Sequence, residues 1–532
     1  MSAVVRETPM REAVGSIEVR DPRTGDWLYT VPSATQEQIT EAFETAHTAS
    51  RAVRAMSVRQ RLDELVKIKR YVLENKEHII DRVVSETGKS RMDALMSEIF
   101  AVLDVIDYYD KNAERVLADQ VVKTPVLLFG KKSRIYYEPM GTVLMITPWN
   151  YPFHLTIIPF ICAFTAGNAV ITKPSEYTPL RGLLEDIVDK SGFVRNGLQV
   201  VYGGKDTGRA LVDQRPDKII FTGSTRAGKQ VMAQAAQYLI PVELELGGKD
   251  PMIVFDDVNI DRAVNGAIWG GMTNSGQTCT AVERVFVQER VYDQFLNALK
   301  QKIERVSTPS KRQAASDCGD LDMGCMTTDF QVDIVDKQVR DAEAKGARIV
   351  SGGHRVGQGL EYQPTVIADV DDSMAVAREE TFGPVLAIRK FSDEAEAVRL
   401  ANDSPYGLNS SVWTDDLARG ERVARRLETG NCSINNVLAT QANAALPFGG
   451  VKESGFGRYK GAHGLHSFSN VKSVMIDKNS PMIELNWYPY TKEKYQLFSK
   501  LIDTAFSGRP LATLKALLIG VKLQGLGKKQ RL

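Results

Sequence analysis

The chain has 532 residues, a formal net charge of +1, 43% hydrophobic residues and 25% charged residues. That length exceeds what a single core ordinarily organises, so two or three domains of normal globular composition are expected. A charge so near zero gives no whole-molecule field for nucleic acid, and no RNA- or DNA-binding signature accompanies it.

In chain order, "MSAVVRETPMREAV" carries Glu7 and Glu12 and no hydrophobic h-region, so a cytoplasmic protein is expected. From Thr35 to about Val116 the pattern is helical and amphipathic, as in "RQRLDELVKIKRYVLENKEHIIDRVVSET", where apolar residues return every three or four positions. Short β-branched strands then alternate with helices at Thr142–Ile146, Ala169–Thr172, Leu198–Val201 and Lys218–Phe221. This βαβ rhythm implies a parallel, doubly wound sheet that binds ligands at its strand C-termini. The uncharged run "LTIIPFICAFTAGNAVIT" has nearly the length of a membrane span. Its Pro159, Gly167 and Asn168 predict instead a buried helix, a turn and a buried strand. After Gly247 the rhythm resumes with Met252–Phe255, Arg284–Val287, Pro384–Lys390 and Ser410–Trp413, predicting a second α/β domain. A site between the two domains would follow naturally.

One stretch imitates a nucleotide triphosphate site. Gly223-Ser-Thr-Arg-Ala-Gly228-Lys229 fits the first seven positions of G-x-x-x-x-G-K-[ST], and Met252 to Asp256 imitates the metal-binding strand of such proteins. The eighth position is Gln230, whose carboxamide poorly replaces the hydroxyl that holds magnesium. What remains is a strand, a tight turn and a helix N-terminus, which suits any anionic ligand, a dinucleotide pyrophosphate included.

Five cysteines form no C-x-x-C pair, which points to free thiols, and six histidines include no H-x-x-x-H pair, so no metal site is expected. Cys279 in "NSGQTCTAV" stands in a turn of small residues where a reacting carbon can approach a thiol. A buried structural cysteine is the competing interpretation of the same residue. Glu245 in "VELELGGKDP" ends an apolar strand before a Gly-Gly turn, and Asn150 in "TPWNYP" follows the strand Thr142–Ile146. With "TKPSE", "FTGST", "GQTC", "EETFGPV", "SPYGLNSSV" and "PFGGVKESGFGR" in family order, the chain resembles the aldehyde dehydrogenase superfamily to about Ile476.

The resemblance implies two doubly wound Rossmann-like domains, one cofactor-binding and one catalytic, with a small β oligomerisation element and a C-terminal helical tail. On that pattern residues 1–120 and 141–246 bind NAD, 247–446 are catalytic, 121–140 and 447–479 oligomerise, and 480–532 form the tail. It implies Cys279 as nucleophile, Asn150 with the Cys279 N–H as oxyanion donors, and Glu245 as base for thioester hydrolysis. Cofactor contacts are implied for Ile146, Pro148, Trp149, Lys173, Glu176, Gly203, Gly223, Ser224, Leu246, Glu380 and Phe382. Glu176 favours NAD over NADP, because a carboxylate accepts from ribose hydroxyls and repels a 2′-phosphate. Trp149 and Phe153 are expected as pocket wall, His154 as a satisfied imidazole, Lys229 as a surface residue, Asp256 and Asp257 as a solvated strand end, and Cys318 and Cys325 as inert.

Competing functions are an NTPase, a CoA-acylating or semialdehyde-specific dehydrogenase, and an inactive structural homologue. A carboxylate at position 245 favours hydrolysis over acylation of CoA, and intact Cys279, Glu245 and Asn150 disfavour an inactive protein. The tail places Phe498, Leu501, Ile502, Ala505 and Phe506 on one predicted face, which Gly508 and Pro510 interrupt. Basic residues from Arg509 to Arg531 follow, with no acid after Asp503, which suits a membrane interface or docking on a homodimer or homotetramer. "GRYKGAHGLHSFS" and the tail are similar to the fatty aldehyde dehydrogenase branch, implying aliphatic medium- to long-chain aldehydes.

Overall fold

A computed structural model describes residues 15–125, 128, 130–312, 317–478, 484, 486–508, 510 and 512–529. Helices Gln36–Ala55 and Val58–Glu74 open with capping boxes, Thr35 with Gln38 and Ser57 with Gln60. Each cap satisfies N–H groups that a helix start leaves unpaired, worth about 1 kcal/mol. Helices Lys76–Thr87 and Ala101–Val116 complete the amphipathic region, and between them Ala94–Phe100 forms a π-helical turn.

Six strands form the first sheet, in the order Gly455–Phe456, Val242–Glu245, Lys218–Thr222, Thr142–Ile146, Ala169–Lys173, Leu198–Val200. Apart from the antiparallel first strand, every pairing is parallel. Chain order reverses beside Thr142–Ile146, so this strand and Lys218–Thr222 flank a topological switch point where such sheets bind ligands. The uncharged run becomes the helix His154–Thr165, buried from Leu155 onward, a turn, and the fully buried strand Ala169–Lys173. Gly167 is required in that turn: φ is +100°, and a Cβ would lie 1.9 Å from the Arg61 guanidinium. Asn168 is buried with its amide satisfied by Gly141 N–H and the carbonyls of Ala163 and Phe468. No helix among the described residues is long and apolar enough to cross a membrane.

Seven strands form the second sheet, Arg348–Ser351, Thr365–Ala368, Val385–Phe391, Val282–Gln288, Asp250–Val254, Ser411–Trp413 and Ser433–Ile434 in spatial order. Only its first strand is antiparallel. Strand interiors here are mainly apolar and buried, with Met252, Ile253, Val254, Val285, Leu386 and Val412 among them. Each such side chain contributes about 1.5–3 kcal/mol when removed from water.

The chain divides into two compact units, Met1–Leu117 with Glu138–Asn470 and Ala118–Tyr137 with Val471–Leu532. Both large sheets lie in the first unit. Residues 447–470 were expected with the small β element. They belong instead to the larger unit, because Gly455–Phe456 pairs with the Glu245 strand and puts Gly455 opposite Glu245.

The smaller unit takes in the strand Gln120–Val122 and most of Lys132–Pro139 and Ser469–Ile476, which form a three-stranded sheet. The tail is part of this unit as a pair of helices, Lys492–Ala505 and Ala512–Lys529. Leu501 packs with Ala516, Ile519 and Leu523, with Leu497, Phe498 and Ala505 at the edge. Ile502 and Phe506, expected on that face, are exposed, since positions 498, 501 and 505 already fill the stripe that the second helix covers. Gly508 breaks the helix with φ +65°, while Arg509 and Arg531 lie outside the described residues.

Candidate active site

The strand ends of the first sheet gather most of the sequence-predicted cofactor positions. Ile146 ends its strand, Pro148 and Trp149 follow, and Thr147 N–H bonds Lys173 O at 3.1 Å, tying this turn to the neighbouring strand end. Lys173 Nζ donates to Gly203 O at 2.7 Å and Pro174 O at 3.0 Å, and lies 3.4 Å from Glu176 Oε2. Lys173, Glu176 and Gly203 are therefore one cluster, with Lys173 buried and Glu176 half-buried. Gly223 N–H bonds Glu245 O at 3.0 Å, and Ser224 caps the helix Thr225–Ala236 by accepting from Ala227 N–H. Gly228 lets that helix approach Leu246, whose Cδ2 would be 2.5 Å from a Cβ there. Lys229 is exposed and paired with Glu453 at 3.0 Å, a surface residue of that helix.

Glu245, Gly247 and Gly248 lead from the first sheet to the second and bring the thiol segment close. A Cβ on Gly248 would stand 2.4 Å from Cys279 O, and one on Gly247 would stand 2.3 Å from Glu380 Oε2. Glycines at both positions let Cys279 and Glu380 crowd the same turn, and Gly248 N–H bonds Glu380 Oε1 at 2.9 Å. Gly276 is likewise forced, since a Cβ would lie 2.1 Å from Gly383 O. Phe382 stands edge-on to Trp149, with ring centroids 5.3 Å apart. Asn150 Nδ2 donates to Gln277 O at 2.9 Å, and Tyr151 OH is 2.6 Å from Thr278 Oγ1. The Pro-Trp-Asn turn thus touches both the residues before Cys279 and the Glu380-Phe382 loop.

Burial sets the electrostatics. Glu245 is 4% exposed, and neither carboxyl oxygen has a hydrogen-bond partner. Burial first, and the nearby Glu243 second, hold its carboxyl well above the usual range, with Arg458 opposing. Burial also pushes the Cys279 thiol up, reinforced by Asp250, Glu245 and Glu380. Burial and Glu283 push Glu380 to about 8, against the Gly248 N–H. His154 is satisfied by Ser97 O at 2.6 Å and falls to about 4, as burial disfavours its charge. Phe153 is core, and Cys325 and Cys162 are buried thiols raised by burial, to about 12 and about 11. Asp256 and Asp257 are partly buried and paired with Arg419, so that strand end is less solvated than expected. Among the described residues no group of three or more His, Cys, Asp or Glu could hold a metal ion.

Several buried residues that sequence reasoning passed over hold this arrangement. Glu283 accepts from Lys249 Nζ at 2.6 Å and from the N–H groups of Thr381 and Phe382, each at 2.8 Å, which fixes the Glu380-Phe382 loop. Phe382 keeps a left-handed φ of +50° there. Asn274, also left-handed at +52°, donates to Asn150 O and Gln277 O. Lys89 and Glu98 form a wholly buried pair that reaches Asn150 O. A charged pair inside the apolar strand "VERVFV" was the available signal for Glu283; Asn274 opens the "NSGQTCTAV" segment without a sign of its partner, and Lys89 carried no signal.

Separated polar clusters along one sheet edge, a helix N-terminus between them, and a thiol turn at the far end suit an elongated dinucleotide. The class so defined is a parallel α/β enzyme of the dinucleotide-binding type carrying a free, partly exposed thiol. The chain belongs to the Aldehyde dehydrogenase family, whose family model matches residues 10–474. It is 41% identical over 481 residues to a 4,4′-diapolycopene aldehyde oxidase of Methylomonas sp, covering 90% of this chain and 88% of that one. It is 34% identical to a glutarate-semialdehyde dehydrogenase of Pseudomonas aeruginosa, covering 87% and 94% of the two chains. Among solved structures, a Mycobacterium tuberculosis aldehyde dehydrogenase complexed with NAD+ superposes with a TM-score of 0.82 at 30% identity, covering 88% of this chain and 96% of that one. An E. coli NADP-dependent enzyme gives the same TM-score at 32% identity, covering 87% and 95%. The protein is an aldehyde dehydrogenase that uses a nicotinamide dinucleotide.

Proposed function

We propose that the chain oxidises aliphatic medium- to long-chain aldehydes to carboxylic acids with NAD, through a thioester on Cys279. The observation that carries this is the buried, unpartnered Glu245 carboxyl at the strand end that leads into the Gly247-Gly248 turn, which the Cys279 backbone crowds; it supports a base close to the thiol. Cys279 Sγ bonds to the aldehyde carbon while its proton passes to a base. The resulting oxyanion takes hydrogen bonds from Asn150 Nδ2 and the Cys279 N–H, each worth about 3 kcal/mol. A bound dinucleotide would supply the hydride acceptor, and as the hydride leaves the carbon the oxyanion re-forms its carbonyl, leaving the acyl group on Cys279 Sγ. Glu245 then removes a proton from water, and that water displaces Cys279 Sγ from the acyl carbon. Burial holds this carboxyl above its usual range, which strengthens it as a base once it is ionised.

Gly223 and Ser224 would contact the pyrophosphate, Lys173 and Glu176 the adenosine ribose, and Glu380 and Phe382 the nicotinamide ribose, with Ile146, Pro148, Trp149, Gly203 and Leu246 as further cofactor contacts. Glu176 accepts a diol and repels a 2′-phosphate, which supports NAD over NADP. The long apolar substrate is supported by the 41% identical relative named for a 4,4′-diapolycopene aldehyde. A second reading, a dicarboxylic semialdehyde, is supported by the glutarate-semialdehyde relative. A panel of aldehydes scored by kcat/KM tests both: a rise with chain length upholds the first, and a preference for ω-carboxylates upholds the second.

Homo-oligomerisation, as dimer or tetramer, would use the three-stranded sheet, supported by exposed Val121, Val471, Met475 and Ile476. The tail would contact anionic membrane from a cytoplasmic location. Exposed Leu514, Leu517, Leu518 and Val521 lie on the same helix as Lys515 and Lys522 and support this.

A further inference from the structure

Lys89 and Glu98 take no part in the chemistry assigned to Cys279, Glu245 and Asn150, yet both side chains are wholly buried. A buried ion pair is a poor source of stability, because desolvation offsets its attraction, so its surroundings need a further explanation. Glu98 stands on the π-helical turn Ala94–Phe100, an irregularity frequent at functional sites. Lys89 follows Gly88, which ends the preceding helix in a left-handed conformation at φ +74°.

Every bond of the pair leads towards the oxyanion amide. Lys89 Nζ is 2.5 Å from Glu98 Oε1 and 2.8 Å from Asn150 O, and it lies 4.1 Å above the Tyr151 ring. Glu98 Oε2 accepts from His154 N–H at 2.7 Å, so the pair grips residues 150, 151 and 154 together. Asn274 Nδ2 makes a second bond to Asn150 O at 3.0 Å. Asn150 Nδ2 uses one hydrogen on Gln277 O, which leaves its other N–H for a ligand.

We propose that Lys89 is a positioning residue: by bonding the Asn150 carbonyl and covering the Tyr151 ring, it fixes the peptide from which the Asn150 amide projects to the substrate oxygen. The assignment rests on the oxyanion role of Asn150. A carbonyl held by an ammonium and an amide at once sets the direction of the Cα–Cβ bond, and a catalytic donor loses much of its effect when it moves by a fraction of an ångström. The ammonium is the stronger of the two donors because its hydrogen bond is charge-assisted. Burial lowers the Lys89 ammonium from its ordinary range, and the Glu98 carboxylate opposes that shift.

The test is a double-mutant cycle on the pre-steady-state burst of NADH, with Lys89→Met/Glu98→Gln introduced into both the native and the Asn150→Ala enzyme. The uncharged pair avoids stranding one buried charge. In the native background the burst rate constant should fall by roughly 10- to 100-fold while dinucleotide affinity is retained. In the Asn150→Ala background the same change should alter the burst less than about twofold, because the amide that Lys89 orients is already gone. Equal losses in both backgrounds would overturn the proposal and make the pair a support of the whole site. An unchanged burst in Asn150→Ala alone would overturn it together with the role of Asn150. If the uncharged pair does not fold, Lys89→Arg, which keeps the charge and displaces the donor, runs the same cycle with the same criteria.

Discussion

Around Lys173 and around Cys279 the same sheet-end architecture handles polar groups in opposite ways. At the first, Lys173 Nζ is shared between two carbonyls and the half-buried Glu176, so each group has a partner or solvent. At the second, Glu245 is buried without a partner, Asp250 has one carboxyl oxygen unpartnered, and the Cys279 thiol sits among carboxyl groups that raise it. Satisfied polar groups hold a ligand and change little. Unsatisfied buried ones cost stability and are poised to move protons, which is the division expected between binding and chemistry.

The contrast breaks first at the thiol. Cys279→Ala should abolish steady-state turnover while leaving dinucleotide affinity near that of the native enzyme, because the ribose and pyrophosphate positions lie on other segments; isothermal titration alongside NADH formation checks both. Glu245→Gln should lower turnover by roughly 10²–10⁴, with deacylation slowed and hydride transfer spared.

Effects at the partnered end should be smaller and selective. Glu176→Ala should narrow the ratio of kcat/KM for NAD over NADP by about tenfold, one charge repulsion, with little change in the rate with NAD. An unchanged ratio would remove Glu176 as the discriminating residue.

A further effect concerns pH. Glu380 titrates at about 8 in the folded protein against 4.5 ordinarily, so the folded state binds more protons between those values. Its contribution to stability is complete below about pH 4.5 and is lost as pH rises through about 8. Thermal melts of Glu380→Gln should therefore show a shallower fall in Tm than the native protein between about pH 5 and about pH 9.

The binding end was legible because its signals are local. β-branched runs located the strands Thr142–Ile146 and Lys218–Thr222 to within a residue, and the Gly223 turn and its helix follow from glycine and cap chemistry. The chemical end was legible only in its named motifs. Lys89 and Asn274 lie 61 and 124 positions from the Asn150 they hold, and no periodicity connects such residues before the chain folds. Ile502 and Phe506 miss the tail's packed face for a related reason: a helical stripe says which residues are apolar, and only the partner helix decides which of them it covers.

The central claim, that Cys279 carries an acyl group which Glu245 helps water remove, meets its most direct test in Glu245→Gln mixed with NAD and a long-chain aldehyde. Quenched samples would be followed together by NADH absorbance and by intact and peptide mass. The account predicts a burst of NADH approaching one equivalent per site, with an acyl group of matching stoichiometry on the peptide containing Cys279 that decays slowly. A burst with no acyl mass on that peptide, or no burst at all, would contradict it.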